Sequence, residues 1–203
     1  MKKIISVILI VASLTVLFAS CKPSKEKVIV SGNYTYVALE DNTAKITKYT
    51  CSDEMLELEI PASIDDMTVT VIGSGAFNGV QNIGAVTFPE TITLIETDAF
   101  TGSSIKKAYL HRCQALTEIQ PKAFAECHNL VQADFPKSLE TIGEGAFYYC
   151  DSLKVANFRG NTNNIHQFAF DACPKVKFYV KSDLTEVIKF AQTYHIEFSV
   201  SEK

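Results

Sequence analysis

Ile142-Gly143-Glu144-Gly145-Ala146-Phe147-Tyr148-Tyr149-Cys150-Asp151-Ser152-Leu153-Lys154-Val155-Ala156-Asn157-Phe158 decides the fold, because most of it recurs. Cys127, Cys150 and Cys173 lie 23 residues apart, each three residues after an Ala-Phe pair: Ala123-Phe124, Ala146-Phe147 and Ala169-Phe170. Ala76-Phe77 and Ala99-Phe100 extend the series, and the Phe spacings run 23, 24, 23 and 23. Isoleucines keep the same beat at 72, 95, 119, 142 and 165. A fixed period of this length with an aliphatic frame means a repeat solenoid, in which each coil buries its apolar side against its neighbours.

An L-x-x-L-x-L frame follows each Ala-Phe. It reads Ile83, Val86, Phe88; Ile105, Ala108, Leu110; Leu130, Ala133, Phe135; Leu153, Ala156, Phe158; and, in a degenerate copy, Val176, Phe178, Val180. The alternation at its end is that of a half-buried strand. Pro89 and Pro136 end two of these strands, where a missing N–H is tolerable. A second apolar segment follows, as in Ile92–Ile95 or Leu139–Ile142, then one helical turn at Ala-Phe. The second repeat is irregular: an insertion around His111–Leu116 carries Cys113 and is expected to bulge out as a loop.

The pattern resembles the BspA-like leucine-rich repeat family of bacterial surface proteins. The resemblance rests on I-G-x-G-A-F at 72–77 and 142–147, on Ala-Phe-x-x-Cys-x-x-Leu at 123–130 and 146–153, and on Phe-Pro at 88–89 and 135–136. Residues 44–49, running on to 58–61, resemble the family's opening hairpin and first coil. The resemblance implies a right-handed leucine-rich-repeat solenoid, mainly β with short helical turns. It also implies adhesion or capture of host matrix or bacterial surface proteins.

The C-terminus leaves the repeat. Residues 183–194 read as a helix with Leu184, Val187, Ile188 and Ala191 on one face and Asp183 as N-cap. Residues 196–200 alternate like a final strand. A terminal coil otherwise exposes an apolar end and an unpaired edge, so 182–203 is expected to be a C-terminal helical cap.

At the other end, Met1-Lys2-Lys3 precedes an apolar stretch, Ile4 to Phe18, and Leu17-Phe18-Ala19-Ser20-Cys21 closes it. Its 15 residues fall short of the ~20 that a spanning helix needs. A basic start, an apolar run and small residues before a cleavage point make a secretory signal. Its terminal Cys resembles the bacterial lipobox, which implies cleavage before Cys21 and lipid on its sulfur. The expected organisation is a signal peptide over 1–20, a lipidated tether over 21–32 and a leucine-rich-repeat domain over 33–203. That domain divides into an N-terminal cap and first coil (33–68), five repeats (69–181) and the cap (182–203). The location implied is the cell envelope, lipid-anchored at the outer membrane, on its surface or periplasmic side. Lipoproteins exported to the bacterial surface often carry acidic residues just after the lipidated Cys. Here Lys22-Pro23-Ser24-Lys25-Glu26-Lys27 is net basic.

Removing 1–20 removes Lys2 and Lys3 and no acid, so the formal charge goes from −4 to −6. A mildly acidic chain with no basic run has no electrostatic footprint for nucleic acid. The recurring pairs Gly73-x-Gly75 and Gly143-x-Gly145 read as turns. A dinucleotide loop would be a single one between a long strand and a long helix, so no nucleotide and no cofactor is expected. The four His residues form no H-E-x-x-H and no serine sits in G-x-S-x-G, so no enzyme is expected. Asp65-Asp66 and Glu57/Glu59 read as solvated acid pairs.

Six Cys, one of them Cys21, leave an odd five, against a complete disulfide framework. Stacked coils bring Cys127, Cys150 and Cys173 to roughly the 5 Å strand spacing, within disulfide range. Ladder side chains point the same way, however, and Val80 fills the equivalent place. A structural, core-filling Cys ladder is therefore preferred over a disulfide or a metal site. Cys51 and Cys113 are left unassigned.

If the frame residues point inward, those between them form an outer sheet face. Going up the stack these are Ala85 and Thr87; Lys107, Tyr109 and His111; Gln132 and Asp134; Val155, Asn157 and Arg159; and Lys177 and Tyr179. Tyr and Arg are enriched at interface hot spots, so this is the expected protein-binding face. Tyr148-Tyr149 is a second aromatic candidate, with one of the two expected to pack inward.

Overall fold

The computed structural model describes residues 27–50 and 56–201. The signal segment, Cys21 and Cys51 lie outside the described residues. The chain opens with β1 (Val28–Ser31), β2 (Tyr34–Ala38) and β3 (Thr43–Tyr49), continues with β4 (Leu56–Glu59), and makes a hairpin of β5 (Ser63–Ile64) and β6 (Met67–Ile72). Val28–Ser31, which fall within the expected tether, instead form a strand, β1 pairing antiparallel with β2. Asp65 and Asp66, at φ +49° and +65°, turn that hairpin. Asp65 accepts hydrogen bonds from Ser31 Oγ at 3.0 Å and Tyr36 Oη at 2.9 Å.

Each later coil contributes a frame strand and a short second strand. These are β7 (Ile83–Thr87) and β8 (Leu94–Ile95), β9 (Lys107–Tyr109) and β10 (Glu118–Ile119), β11 (Gln132–Phe135) and β12 (Thr141–Ile142), and β13 (Val155–Phe158) and β14 (Asn164–Ile165). The chain closes with β15 (Lys177–Lys181), α1 (Thr185–Thr193) and β16 (Glu197–Ser201). The frame strands make an all-parallel sheet in the order β16-β15-β13-β11-β9-β7-β4. The second strands continue the opening meander into the other sheet.

Between the sheets runs one core. Phe77, Phe100, Phe124, Phe147 and Phe170 stack as a column with centroids 4.6, 5.0, 5.2 and 5.1 Å apart and rings within 9° of parallel. Tyr49 adds a rung below, 5.0 Å from Phe77. The frame residues of all five repeats are buried.

The Ala-Phe segments are not helical turns. Successive i→i+3 turns form there, as in Tyr148 N–H to Gly145 C=O at 2.8 Å and Cys150 N–H to Phe147 C=O at 3.2 Å. The intervening N–H groups donate sideways: Phe100 to Ala123, Phe124 to Ala146 and Phe147 to Ala169. A helix would point those donors along its own axis. Here the next coil takes them, so the turn side carries its own inter-coil ladder.

The glycines of G-x-G divide the work of coil stacking. A Cβ on Gly143 would lie 2.6 Å from Pro121 N, so no side chain fits between those coils. Gly145, at φ +59°, supplies the left-handed turn instead.

Two expectations at the ends of elements need correction. The insertion around Cys113 folds inward: Leu110, Cys113 and Leu116 are all fully buried. Turns from Leu110 to Cys113 and from Cys113 to Leu116 put an apolar residue on the core side every third position. Nor is Asp183 the N-cap of α1. The helix begins after Leu184, and Asn161 Oδ1, from the coil before, accepts the Glu186 N–H at 2.9 Å. That side chain satisfies one of the orphan donors of the first turn. Val187, Phe190 and Ala191 seal the end of the core.

Candidate functional site

Strand register lines up the outward residues of the all-parallel sheet in columns. One column runs Ala85, Lys107, Gln132, Val155, Lys177, Glu197; the next runs Glu59, Thr87, Tyr109, Asp134, Asn157, Tyr179, Ser199. Adjacent strands in a sheet lie about 4.8 Å apart, so each column is a continuous strip of side chains.

At the centre of the face the residues bind one another. Gln132 Nε2 donates to both oxygens of Asp134, at 3.0 and 3.1 Å, and Asn157 Nδ2 donates to Oδ1. His111 lies just past β9 and packs edge-on against Tyr109, its Nδ1 3.9 Å from Asp134 Oδ2. Asp134 is consequently only 6% exposed. Its role in the face is therefore to hold Gln132 and Asn157 in place, because two amides occupy its oxygens.

Toward the C-terminal end the face turns cationic. Lys177 Nζ pairs with Glu197 at 2.6 Å and lies 5.9 Å from the Tyr179 ring centroid. The Glu197 carboxylate holds the Lys177 ammonium above its ordinary value. Tyr179 is 41% exposed and Arg159 is exposed beside it. A cleft of about 420 Å³ opens at the carboxyl ends of the last three frame strands, with Asn157, Arg159, Tyr179, Lys181, Ser199 and Ser201 around it.

The cysteines have a chemistry of their own. Cys127, Cys150 and Cys173 are free and buried, and each thiol donates to a carbonyl of the coil before: Phe100 O at 3.1 Å, Phe124 O at 3.1 Å and Phe147 O at 3.0 Å. Cys113, also free, donates to Pro89 O at 3.3 Å. Ser103 holds the same place in the second repeat, buried, with Oγ 3.6 Å from Cys127 Sγ. A serine there, and only partial burial of Val80, show that the position does more than fill space. Burial pushes the Cys113 thiol up to about 12 and raises that of Cys150 as well, its neighbours Cys127 and Cys173 adding to the effect. The thiolate is the nucleophile and metal ligand. Thiols kept protonated are hydrogen-bond donors and poor redox or metal centres. Among the described residues no group of His, Cys, Asp and Glu is placed to hold a metal.

Tyr148 and Tyr149 are 40% and 48% exposed, so neither packs into the core. Tyr149 sits at φ +59° at the turn position where Gly79 and Gly102 stand in earlier coils, which swings its ring outward.

Stacked coils, one all-parallel face and inward aliphatic frames define a leucine-rich-repeat protein. The BspA type Leucine rich repeat region matches residues 44–177 in six copies, and the chain belongs to that family. No curated protein matches it. Of solved structures, a T. pallidum Leucine Rich Repeat protein (TpLRR) is 26% identical, with 75% of this chain and 71% of that one covered at a TM-score of 0.64. The pneumococcal vaccine antigen PcpA is 23% identical at a TM-score of 0.63 and shares the fold. The match covers 77% of this chain but 44% of PcpA.

Proposed function

We propose that this is a non-enzymatic lipoprotein of the bacterial cell envelope, anchored through Cys21, that binds a protein partner through the outer face of its all-parallel sheet. The observation that carries the reading is the seven-strand face. Its columns present Lys107, Tyr109, Gln132, Asn157, Arg159, Lys177 and Tyr179 on a rigid scaffold. Repeat solenoids use such extended surfaces for binding. Family membership supports adhesion to host matrix or bacterial surface proteins. A partner docking on this face meets a stack of about seven strands, roughly 30 Å, enough for one interface of standard size.

A second reading, a periplasm-facing structural or accessory subunit of an outer-membrane complex, is favoured by the net-basic stretch after Cys21. Protease treatment of intact cells separates the two. Cleavage of the native protein is expected, and protection until the outer membrane is lysed would support the periplasmic reading instead. Cys21→Ala should release the protein from membranes; continued anchoring would remove the lipidation reading.

The face itself is tested by Lys107→Ala/Tyr109→Ala/Gln132→Ala. Attachment of cells displaying this variant to immobilised matrix proteins or to neighbouring bacteria should fall at least roughly tenfold. The melting temperature should fall by only a few degrees, through the hydrogen bonds that Gln132→Ala takes from the covered Asp134, because Lys107 and Tyr109 lie on the outer face. Unaltered attachment would discard the face.

A further inference from the structure

We infer that the cleft at the carboxyl ends of β13, β15 and β16 binds an acidic polypeptide segment in extended form. The inference rests on the face reading above and names the chemistry of its partner.

Three observations converge. The first is charge. Arg159 and Lys181 follow two residues after Asn157 and Tyr179, which are in register, so the two cations stand side by side at the cleft. Neither makes an ion pair with a described residue, and no acid borders the cleft. Both are exposed, and together they put two positive charges at one place on a chain whose formal charge is −4. Screening at physiological salt confines their pull to about 8 Å, so they act on a group seated in the cleft rather than on a distant field.

The second observation is hydrogen-bonding capacity. Tyr179 and Ser199 carry hydroxyls on the rim and Asn157 keeps one amide hydrogen beyond the one it gives Asp134, while Ser201 Oγ donates to Val180 O at 3.4 Å. Cations with several neutral donors suit carboxylates.

The third decides between a peptide and an acidic sugar. β16 pairs only with β15 among the described strands, so its outer edge presents backbone donors and acceptors to an added strand. Val200 is 47% exposed, whereas Val180, its register partner one strand in, is 3% exposed. A strand laid on β16 would cover Val200 with an apolar residue on one side and carry its acids on the other, where Lys181 stands on the neighbouring β15, about 10 Å from the added backbone and within reach of extended side chains, and Arg159 one strand further in. A saccharide can meet the cations but has no backbone to pair with the edge.

The test uses the purified full-length mature protein and fluorescence anisotropy. The probe is a fluorescein-labelled peptide of alternating Val and Glu. Its Val-Lys counterpart, a backbone N-methylated version and a sulfated heparin oligosaccharide are the comparators. The Val-Glu peptide is expected to bind, and the Val-Lys and N-methylated peptides are not. Arg159→Glu/Lys181→Glu should weaken binding roughly tenfold or more. The milder Arg159→Gln/Lys181→Gln should weaken it less, with unchanged melting temperature in both. Lys154→Ala, which removes an exposed cation outside the cleft, should keep it. Equal binding of the Glu and Lys peptides, indifference to charge reversal, or full binding of the N-methylated peptide would each overturn the proposal. Tighter binding of the heparin oligosaccharide, lost on the same reversal, would overturn the peptide in favour of an anionic glycan. The assay does not use the attachment partner. Failed attachment by cells therefore overturns the face reading alone, and an acidic peptide that does not bind overturns the cleft alone.

Discussion

Phe124→Ala is expected to lower stability by about 3–5 kcal/mol, the upper range for a single truncation in a core. At the usual slope for a domain of this size that is roughly 10 °C in melting temperature. Phe124 is fully buried between Phe100 at 5.0 Å and Phe147 at 5.2 Å, both within 4° of parallel. Removing the ring takes its burial from two coil interfaces at once. The gap has little chance of closing, because the backbone on either side is held by the turn-side ladder: Phe100 N–H to Ala123 C=O at 2.7 Å and Phe124 N–H to Ala146 C=O at 2.8 Å. A cavity that the surroundings cannot fill sits at the costly end of the range. Phe170, near the end of the column and 6% exposed, should cost less when truncated. Equal losses at 124 and 170 in denaturant unfolding would mean that the column does not carry central coupling.

That column was legible from sequence, and the reason is local. Ala-Phe spacing and the aliphatic frame are short-range patterns, and a solenoid repeats one short-range solution. The outer face was legible for the same reason, since alternation within a strand fixes which side chain points out. What escaped depends on contacts between coils. Cys113 read as part of a loop because the insertion breaks the period, yet two tight turns return its thiol to the core. Asp134 read as one more outward residue; only the register that places Gln132 and Asn157 against it shows why it is covered. The cap of α1 comes from Asn161, well outside any local capping pattern, so Asp183 was the residue that sequence proximity favoured. Ser103, three residues after Phe100, was a missed signal. A hydroxyl in the Cys column pointed to hydrogen-bonding rather than to filling alone, and the thiol-to-carbonyl bonds bear this out.

Gly160→Ala is expected to cost about 3 kcal/mol, against about 1 kcal/mol for Gly79→Ala, although both add a single methyl group. At Gly79 the constraint is conformational: φ is +65° and nothing lies within 4 Å of an added Cβ. Ala172 occupies the equivalent turn position in the last of the five repeats at φ +56°, so this fold already accommodates alanine there. At Gly160 the constraint is space. A Cβ would lie 2.1 Å from Lys137 O and 2.7 Å from Lys137 C, both backbone atoms of the preceding coil. Backbone cannot rotate aside as a side chain can, so the two coils must separate, and β11 and β13 pair only two residues earlier, at Phe135 and Phe158. Arg159 precedes this contact directly, so separation would also move one of the two cations of the cleft. Denaturant midpoints of the two variants, with acidic-peptide binding measured on each, test both statements. Gly160→Ala should lose stability and weaken binding, while Gly79→Ala, far down the stack, should lose a little stability and bind as the parent does. If Gly160→Ala proves no worse than Gly79→Ala, the spacing between these coils is elastic, and the close approach at Lys137 has no part in positioning Arg159.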